Sequence, residues 1–316
     1  MANSRVVVLG DANVDMRVQL PQRTKNEALD QQYPAPELHG GGTSANVAVG
    51  LARLGVPVSF VGAIGADNYG RWVRDDLVNE NVDVLGVRMI EDEFTVMVMA
   101  LIQPDGERLI YVWPPKGGAH LHIREEDINL SDWPEAHWLH TSGILLRGNP
   151  ARETILNTMA QARQLGWKVS IDLNLRTESW GLDDEARQTF QQAIELSDVV
   201  FGNAEEELMP LSGEATIKNA AQALCNNQRT IIARLGEEGA LVCTPDKIFH
   251  SPAFDAEIVD TIGAGDAFNA GFITAQLSGH DNVEATRWGN AVAALKIERP
   301  GARGGPNLEA LRRKLS

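Results

Sequence analysis

The residues best suited to chemistry lie in the segment DTIGAGDAFNAGF, at 260–272, where two glycines precede an apolar run. Gly263 and Gly265 carry no side chains that would block a ligand. The N–H groups of Ala264, Gly265 and Asp266 could therefore point at a phosphate at the start of a helix. Asp266 would lie in the first helical turn, where it could accept a proton from an attacking hydroxyl. The segment predicts an anion hole beside a base, the pairing that phosphoryl transfer requires.

The same segment has a plainer interpretation, in which GAGD is an ordinary glycine-rich turn and Asp266 caps the helix that follows. Taken alone, the segment leaves both interpretations open. The sequence contains no Walker A motif, so the P-loop class of kinase has no support.

Composition and charge narrow the class of ligand. The 316-residue chain carries 43 acidic and 28 basic residues, a formal net charge of −15. Such a surface repels nucleic-acid phosphates and anionic lipid, so neither nucleic acid nor a membrane is expected as a partner. ATP is compatible with this charge, because backbone N–H groups, a metal ion and a few cations can meet its phosphates locally. We expect a small-molecule substrate.

Cysteine usage and the first residues indicate the cytoplasm. The two cysteines, Cys225 and Cys243, form no CxxC pair, which predicts neither a disulfide framework nor a structural zinc site. Polar residues soon break the short apolar run of MANSRVVVLGDANVDM, so a signal peptide is not expected. No stretch approaches the roughly 20 apolar residues of a membrane span.

The elements that must position the 260–272 segment follow a βαβ rhythm. Short runs rich in Val and Ile alternate with segments of helical spacing, which predicts an α/β fold with a mostly parallel sheet. Residues 151–165 place Ile155, Met159 and Ala162 on one helical face and end before Gly166. The predicted strands lie near 6–9, 58–61, 138–141, 169–172, 199–201 and 230–233.

Two segments interrupt this rhythm. Residues 94–103 and 107–113 are typical of strands, and a turn at 104–106 would join them into a β-hairpin. Residues 13–40 also lack helical periodicity. The two segments could form a small antiparallel sheet beside the main one, or the hairpin could extend the edge of the main sheet. The residues alone leave both arrangements open.

Four motifs in order give the sequence a family resemblance. DTIGAGDAFNAGF matches the signature DTxGAGDxFxxGF, and GGGTSANVAVGLARLG at 40–55 is followed by VxFVGxxGxDxxG at 58–70. GDANVD at 10–15 presents Asn13 and Asp15 at two polar positions. Together the motifs, which span essentially the whole chain, resemble the ribokinase-like, or PfkB, family of carbohydrate kinases.

The resemblance implies a three-layer α/β/α domain with a mostly parallel central sheet and a small β-sheet lid that closes over the sugar. It assigns residues 1–12, 41–92 and 117–316 to the large domain. Residues 13–40 and 93–116 would form the lid. Closure would exclude water from the reaction.

The resemblance also implies ATP-dependent phosphorylation of a sugar hydroxyl, with a primary hydroxyl preferred. Asp266 would be the general base, and the Gly263–Ala264–Gly265 turn would stabilise the developing charge.

An NxxE match at Asn203–Glu206 follows the apolar run VVF. In the family this motif helps to organise magnesium and the phosphates. Mg²⁺ retains several waters, so Glu206 would act through water. Alternatively, the acidic run is a set of carboxylates stabilised by a helix dipole.

Arg234, Gly236 and Gly239 lie in RLGEEG, which resembles the family's nucleotide loop, where glycine lets the backbone approach ATP. Asn290 lies on a helix that borders the adenine in relatives, and a structural role for Asn290 is equally open.

Many relatives bind a monovalent cation beside the anion hole. Asp260, Ile262, Arg299 and Gly301 occupy matching places, which leaves K⁺ open as a cofactor beside ATP and Mg²⁺. The sequence departs from some relatives at Gly305, where they present a serine hydroxyl.

The resemblance places a group of candidate residues around the sugar. SIDLNLRTESWG contains a DxNxRxxxW stretch common in fructokinases and 2-keto-3-deoxygluconate kinases, and its arginine could grip a phosphate or carboxylate or form a loop salt bridge. The hairpin has Tyr-Val-Trp where the keto-deoxygluconate kinases present Tyr-Tyr-Arg, which weakens an acid-sugar assignment, although Lys116 is close. The candidate sugar contacts are Asn13, Asp15, Gly41, Gly42, Thr43, Asn46, Tyr111, Trp113 and Arg176.

Three functional hypotheses follow: a kinase for a ketohexose or a 2-keto-3-deoxy sugar acid, a nucleoside kinase of the same fold, and a sugar-binding regulatory protein without turnover. The apolar hairpin FTVMVMALI also has the edge character that permits pairing, so a homodimer through the lids is open.

Overall fold

The fold is taken from a computed structural model that describes residues 4–20, 34–105, 107–226 and 229–316. Within these residues the strands are β1 Arg5–Leu9, β2 Asn13–Gln19, β3 Glu37–Gly41, β4 Val58–Gly65, β5 Asp83–Ile90, β6 Met97–Ile102, β7 Arg108–Trp113, β8 Ala136–Ser142, β9 Lys168–Asp172, β10 Val199–Asn203, β11 Thr230–Arg234, β12 Ala240–Cys243 and β13 Ile248–Ser251. The α-helices are α1 Thr43–Arg53, α2 Asn68–Asn79, α3 Ala151–Gln164, α4 Thr177–Trp180, α5 Asp184–Glu195, α6 Met209–Ser212, α7 Ile217–Cys225, α8 Ala264–Leu277, α9 Asn282–Ile297 and α10 Leu308–Leu315.

A large, mostly parallel sheet forms the centre of the described chain. Its nine strands run in the order β13-β12-β11-β10-β9-β8-β1-β4-β5. Only the pairs β11–β12 and β12–β13 are antiparallel within it. The six strands predicted from Val- and Ile-rich runs are all present, as β1, β4, β8, β9, β10 and β11. Of the other three strands, β5 and β13 contain exposed positions that interrupt their apolar runs, and β12 has only four residues.

Two hydrophobic cores cover the two faces of this sheet. Along β1, Val6 and Val8 belong to one core, whereas Val7 and Leu9 belong to the other. This alternation follows from the two-residue period of a strand. The first core contains residues of α1, α8 and α9, and the second contains residues of α3, α5 and α7. The result is the three-layer α/β/α arrangement that the family resemblance implies.

A second, four-stranded sheet runs in the order β3-β2-β6-β7. It answers the question that the residues left open, because the hairpin pairs with β2 and not with the edge of the large sheet. The β2–β6 pair is parallel and the other two pairs are antiparallel, so the sheet is mixed and the expectation of an antiparallel sheet was wrong. Part of the predicted lid, 21–33, and Gly106 in the predicted turn lie outside the described residues. The division of the chain into a large domain and a lid stays a prediction.

Glycines in the left-handed region mark two helix boundaries that matter for the argument. Gly166, with φ of 77°, follows the end of α3 where the sequence predicted it. Gly263, with φ of 78°, immediately precedes α8. Among the helices of the described residues, none combines the length and apolarity needed to cross a membrane.

Candidate active site

Polar residues gather where the central parallel strands end. β9, β10 and β11 end in Asp172, Asn203 and Arg234, and Arg234 is the register partner of Asn203. Parallel strands present their carboxyl ends at one edge of the sheet, where open α/β proteins bind ligands. The starts of α1 and α8 meet at this edge, because Asn46 of α1 contacts Asp266 of α8.

The predicted anion hole forms the first turn of α8. A side chain at Gly263 would place its Cβ 2.5 Å from the carbonyl oxygen of Ala302, so both the backbone angle and the space require glycine. The N–H of Ala264, expected to face a phosphate, instead donates to the carbonyl of Thr261 at 3.1 Å. Among the described residues, the N–H groups of Gly265 and Asp266 have no acceptor. They are the donors left for an anion.

Asp266 is buried beside these donors, with 8% of its surface exposed. Its carboxylate accepts a hydrogen bond from Asn46 Nδ2 at 2.9 Å. Burial raises the pKa of Asp266 to about 7, and the neighbouring charges of Asp172 and Asp11 push the pKa in the same direction. The Asn46 hydrogen bond and the positive charge of Arg234 oppose the increase. A carboxyl group with a pKa near 7 is suited to accept and release a proton near neutral pH.

A buried ion pair lies directly behind the hole. Arg234 donates to both carboxylate oxygens of Asp172, at 2.7 and 2.8 Å, and Asn269 Nδ2 donates to Asp172 at 2.7 Å. These partners hold the pKa of Asp172 below its usual value although burial raises it, and the carboxylates around Arg234 raise the pKa of the guanidinium. A Cβ at Gly265 would lie 2.8 Å from Arg234 Nη1. The guanidinium predicted to contact nucleotide therefore packs under the anion-hole turn.

The acidic run after β10 divides into exposed and buried members. Glu206, the predicted magnesium residue, is exposed, whereas Glu207 is buried and accepts from the N–H groups of Asn203 and Leu175 at 2.6 and 2.9 Å. The Asn203 side chain accepts from the N–H groups of Glu205 and Glu206 at 3.0 and 2.9 Å. Asn203 thus caps the following helical turn, and the Glu206 carboxylate faces solvent.

The sugar candidates on β2 and α1 lie close together. Asn13 Nδ2 donates to Asp15 Oδ1 at 2.6 Å, and burial raises the pKa of Asp15. A Cβ at Gly41 would lie 2.5 Å from that Asp15 oxygen, so glycine allows β3 to pass the polar pair. Gly42, with φ of 95°, begins the turn into α1.

Asp11, which follows β1 of the large sheet, holds the N-terminus of α1. Asp11 accepts from the N–H groups of Thr43 and Ser44 at 2.9 and 3.2 Å, and from the Ser44 hydroxyl at 2.9 Å. A carboxylate at a helix N-terminus is stabilised by the free N–H groups and the dipole. Thr43 Oγ1 also accepts from Asn174 Nδ2 at 2.8 Å, which ties α1 to the loop after β9.

Three further sugar candidates are exposed. Arg176 follows that loop with φ of 49°, and none of its described contacts is a salt bridge. Tyr111 and Trp113 lie two residues apart on β7 and therefore on the same face of the small sheet, with about half of each surface exposed, at 52% and 50%.

The remaining nucleotide candidates lie at the β11–β12 connection and on α9. Gly236 and Gly239 have φ of 63° and 93°, and a Cβ at Gly239 would strike the backbone of the 251–253 segment. Asn290 is buried and donates to the carbonyls of Ser251 and Pro252 at 3.1 and 3.0 Å. Asn290 therefore fastens this segment to α9.

The residues predicted to bind a monovalent cation lie around the segment that leads into the anion-hole turn. The Asp260 carboxylate accepts from the N–H groups of Ile262 and Gly301 at 3.0 and 2.9 Å. The Asp260 carbonyl accepts from Lys296 Nζ at 2.7 Å. Ile262 and Arg299 are exposed, and Gly301 has φ of 77°.

Arg303 contacts three other elements, α1, β3 and α2. It donates to Asn46 Oδ1 at 3.1 Å and to the Gly41 carbonyl at 3.1 Å, and it pairs with Asp76 of α2. Its side chain is 9% exposed. Because Asn46 also donates to Asp266, Arg303 positions the amide that contacts the candidate base.

Sequence reasoning missed several of these residues, and their local signals are weak. Most of them lie in or next to a motif or a predicted strand, whereas Lys296 and Arg303 lie in neither, and the partners that define their roles lie far along the chain. Asp172 and Arg234 are 62 positions apart, and Asn46 and Arg303 are 257 apart. The residues that sequence reasoning missed are Asp11, Asp172, Asn174, Glu207, Asn269, Lys296 and Arg303.

Comparisons with known proteins identify the family. Residues 3–309 match the family described as pfkB family carbohydrate kinase. The chain is 34% identical to the aminoimidazole riboside kinase of Salmonella typhimurium over 311 residues, which cover 95% of this chain and 91% of that protein. It is 34% identical to a fructokinase of Escherichia coli over 274 residues, 86% of this chain and 84% of the fructokinase.

Two solved fructokinase structures share the fold of this chain over almost its whole length. Fructokinase from Xylella fastidiosa with bound ATP has a TM-score of 0.87 at 25% identity, over 99% of this chain and 98% of the other. A double mutant of Vibrio cholerae fructokinase with bound fructose, ADP and potassium ion has a TM-score of 0.81 at 30% identity, over 99% of both chains. The ribokinase-like fold implied by the sequence motifs is confirmed.

Proposed function

The chain belongs to the pfkB family of carbohydrate kinases, and from that membership we propose that it transfers the γ-phosphoryl group of ATP to a primary hydroxyl of a neutral sugar, with a ketohexose such as fructose as the first candidate. The observation that carries the proposal is the position of Asp266, buried at the start of α8 beside two N–H groups without an acceptor in the described chain.

Asp266 acts as the general base in this proposal. Its carboxylate accepts the hydroxyl proton as the sugar oxygen bonds to the γ-phosphorus and the bond from phosphorus to the ADP oxygen breaks. A pKa of about 7 leaves a substantial fraction of the carboxylate ionised near neutral pH while keeping it a stronger base than an ordinary aspartate. The fixed N–H groups of Gly265 and Asp266 stabilise the negative charge of the transferring group.

A magnesium ion would neutralise charge on the ATP phosphates. Among the described residues, no cluster of three metal-ligating side chains is preformed. The exposed Glu206 carboxylate fits an ion that is bound mainly by phosphate and water, because Mg²⁺ prefers oxygen ligands and keeps several waters. We assign Glu206 a water-mediated contact.

The nucleotide would lie along the β11–β12 side of the edge. The left-handed backbone at Gly236 and Gly239 supports close approach of ATP to this loop. The contacts of Arg234 and Asn290 support indirect roles, in which Arg234 holds the floor of the anion hole and Asn290 holds the neighbouring segment at Ser251.

The sugar side of the site favours a neutral substrate over a sugar acid. Asn13 and Asp15 present an amide and a carboxylate, and Asp11 adds a second carboxylate near the start of α1. A substrate carboxylate placed here would meet like charges, which costs free energy. The hydroxyls of a neutral sugar can donate to the same oxygens. Arg176, Tyr111 and Trp113 would contact the sugar only from exposed positions.

A riboside is the second candidate substrate. The aminoimidazole riboside kinase of Salmonella typhimurium covers more of this chain than the Escherichia coli fructokinase does at the same identity of 34%. The exposed aromatic residues Tyr111 and Trp113 could stack on a base as well as on a sugar face.

An ADP-release assay tests the function. Purified protein with MgATP is offered fructose, other neutral hexoses, 2-keto-3-deoxygluconate and ribosides, and Asp266→Asn is assayed beside the wild type. The proposal expects turnover of a neutral sugar that the variant loses. Turnover of only an acid sugar or a riboside would replace the substrate assignment. Saturable sugar binding without ADP release would identify a non-catalytic sugar-binding protein instead.

Two expectations concern assembly and location. The edge character expected of FTVMVMALI was wrong, because β6 pairs with β2 on one side and with β7 on the other. The edge strand is β7, which is exposed along its length, and this supports pairing of small sheets in a homodimer. Sedimentation equilibrium of a monomer at micromolar concentration would contradict that dimer. A cytoplasmic location stays a prediction from the sequence.

A further inference from the structure

Lys296 is a buried cation that the proposed mechanism does not use. It lies in the last turn of α9, and its side chain is fully buried, with 0% exposed. Its Nζ donates to the Asp260 carbonyl at 2.7 Å, and no acidic side chain of the described chain forms an ion pair with it. Burying an ammonium costs several kcal/mol unless its surroundings compensate for the lost water. A purely structural position would be filled more stably by an apolar side chain.

The carbonyl that receives this ammonium belongs to the segment leading into the anion hole. The N–H groups of Val259 and Asp260 donate to the carbonyl of Ile297 at 2.8 and 3.1 Å. The Asp260 carboxylate accepts from the N–H groups of Ile262 and Gly301. Asp260 is thus fixed on every polar atom, and Gly263 follows three residues later.

The charge of Lys296 also reaches the site. Burial lowers the pKa of Lys296, whereas the charges of Asp260 and Asp266 raise it. Because the Lys296 ammonium lies close enough to interact with the Asp266 carboxylate, its positive charge also favours a phosphate bound at the anion hole. Arg234 lies against Gly265 from the sheet side, so the turn has a cation at each of two positions.

A bound potassium ion shares three properties with this ammonium, although the ammonium acts by donating hydrogen bonds. Both carry one positive charge, both are of similar size, and both bind backbone carbonyl oxygens. The Vibrio cholerae fructokinase mutant, at 30% identity, was solved with a potassium ion. In the present chain, the Asp260 carbonyl, one of the predicted cation ligands, is already occupied by Lys296.

We propose that Lys296 is a built-in monovalent cation, a positioning residue that holds the Asp260 carbonyl and supplies positive charge behind the anion hole, so that full activity needs no free K⁺. The inference rests on the proposed kinase function. It replaces the alternative in which Asp260, Ile262, Arg299 and Gly301 bind a free ion.

Lys296→Met tests the inference, with Lys168→Met as the matched control. Lys168 is a second lysine with a single described side-chain acceptor, Gln276 Oε1 at 2.6 Å, and it lies at the opposite end of β9 from Asp172. ADP release is measured in the chlorides of tetramethylammonium, sodium, potassium and ammonium at equal ionic strength. Tetramethylammonium is too large to enter a carbonyl site.

The wild type and Lys168→Met are expected to turn over equally in all four salts. Lys296→Met is expected to lose about tenfold to a hundredfold in kcat in tetramethylammonium, less than direct removal of an oxyanion donor costs. Potassium or ammonium should restore part of that loss, which a merely structural role would not permit. A wild type that requires K⁺, or a Lys296→Met variant that keeps its rate or gains nothing from either ion, overturns the inference.

Nucleotide binding separates this inference from the proposed function. MgADP affinity is measured by calorimetry in the same salts, which requires no sugar. If no sugar is phosphorylated, the kinase proposal fails, yet weaker MgADP binding by Lys296→Met with recovery in K⁺ still supports the built-in cation. If Lys296→Met does not fold, the salt response of the wild type decides, and K⁺-dependent MgADP binding by the wild type overturns the inference.

Discussion

Two buried carboxylates at the same edge of the large sheet have opposite surroundings. Asp266, at the start of α8, has one side-chain hydrogen-bond partner among the residues that the structure describes, the neutral amide of Asn46. Asp172, at the end of β9, has the Arg234 guanidinium on both oxygens and Asn269 as well. The pKa of Asp266 is raised to about 7, whereas the pKa of Asp172 is lowered. Burial alone therefore does not identify a candidate base, and the charge of the partner separates the carboxyl group with a raised pKa from the one held ionised in an ion pair.

Asp266→Asn should show the largest effect on activity. Without a proton acceptor, turnover is expected to fall by about 10²- to 10⁴-fold, the usual contribution of general base catalysis. Nucleotide binding should survive, because the N–H groups of the hole are unchanged. Steady-state ADP release and MgADP calorimetry measure the two quantities. Near-normal turnover in the variant would remove Asp266 from the mechanism.

The same variant should be more stable than the wild type at alkaline pH. A folded pKa raised above the unfolded value means that stability from Asp266 is fully present below the unfolded pKa and is lost as pH rises through about 7. Asparagine removes that loss, so the gain in unfolding free energy should be larger at pH 8 than at pH 5. Urea unfolding at both pH values measures it. Equal gains at the two pH values would contradict the raised pKa.

Asp172→Asn should chiefly damage stability. It removes the nearer of the two carboxylates beside the Arg234 guanidinium and leaves only Glu207, at 3.7 Å. Breaking a buried pair from one side costs about 3–5 kcal/mol. Urea unfolding at pH 7 is the measurement. Glu309→Gln, which breaks the exposed pair with Arg313, is the control and should change stability by less than about 1 kcal/mol.

The double variant Asp172→Asn with Arg234→Met sharpens this comparison. It removes the stranded charge and should recover part of the stability that the single variant loses. A single Asp172→Asn variant as stable as wild type, or a double variant less stable than the single one, would show that the ion pair does not hold the two strand ends.

The wild-type rate should follow the protonation of Asp266. kcat/KM is expected to be constant above about pH 7 and to fall about tenfold per pH unit below it, because the protonated carboxyl cannot accept a proton. Asp172 should add no inflection there, since its lowered pKa keeps it ionised throughout. A pH profile that stays flat down to pH 5 would contradict the assignment.

Asn46→Ala should give the smallest effect. The Asn46 hydrogen bond lowers the pKa of Asp266, so its loss should move the acid limb of the kcat/KM profile upward, by about one pH unit. Well above that limb the rate should change less. Ser316→Ala, at the exposed end of the described chain, is a control that should leave the profile in place. A downward shift for Asn46→Ala would contradict the proposed contact.

The sequence predicted what depends on near neighbours. The six Val- and Ile-rich strands, the helix ending before Gly166 and the glycine turn at Gly263 follow from local spacing and backbone preference. The contrast between the two carboxylates could not be predicted in this way, because it depends on partners that meet only after folding. Asn46 lies 220 positions from Asp266, and Arg234 lies 62 from Asp172.

The same limit applies to the second sheet and to the role of each cation. Whether the hairpin joins β2 or the edge of the large sheet depends on packing that strand propensity does not encode. Arg234 was predicted at the nucleotide from its motif, but its position under Gly265 appears only in three dimensions. The individual site roles stay predictions that the variants above test.

The position of Arg303 has a consequence for enzyme engineering. A side chain at Gly40 would occupy the space of the Arg303 guanidinium, which also contacts Asn46 and Asp76. A mutant library along β3 should therefore tolerate variation at the exposed His39 and lose activity at Gly40. Variation on β3 is therefore limited at the position that contacts Arg303, because Arg303 is linked through Asn46 to the candidate base Asp266.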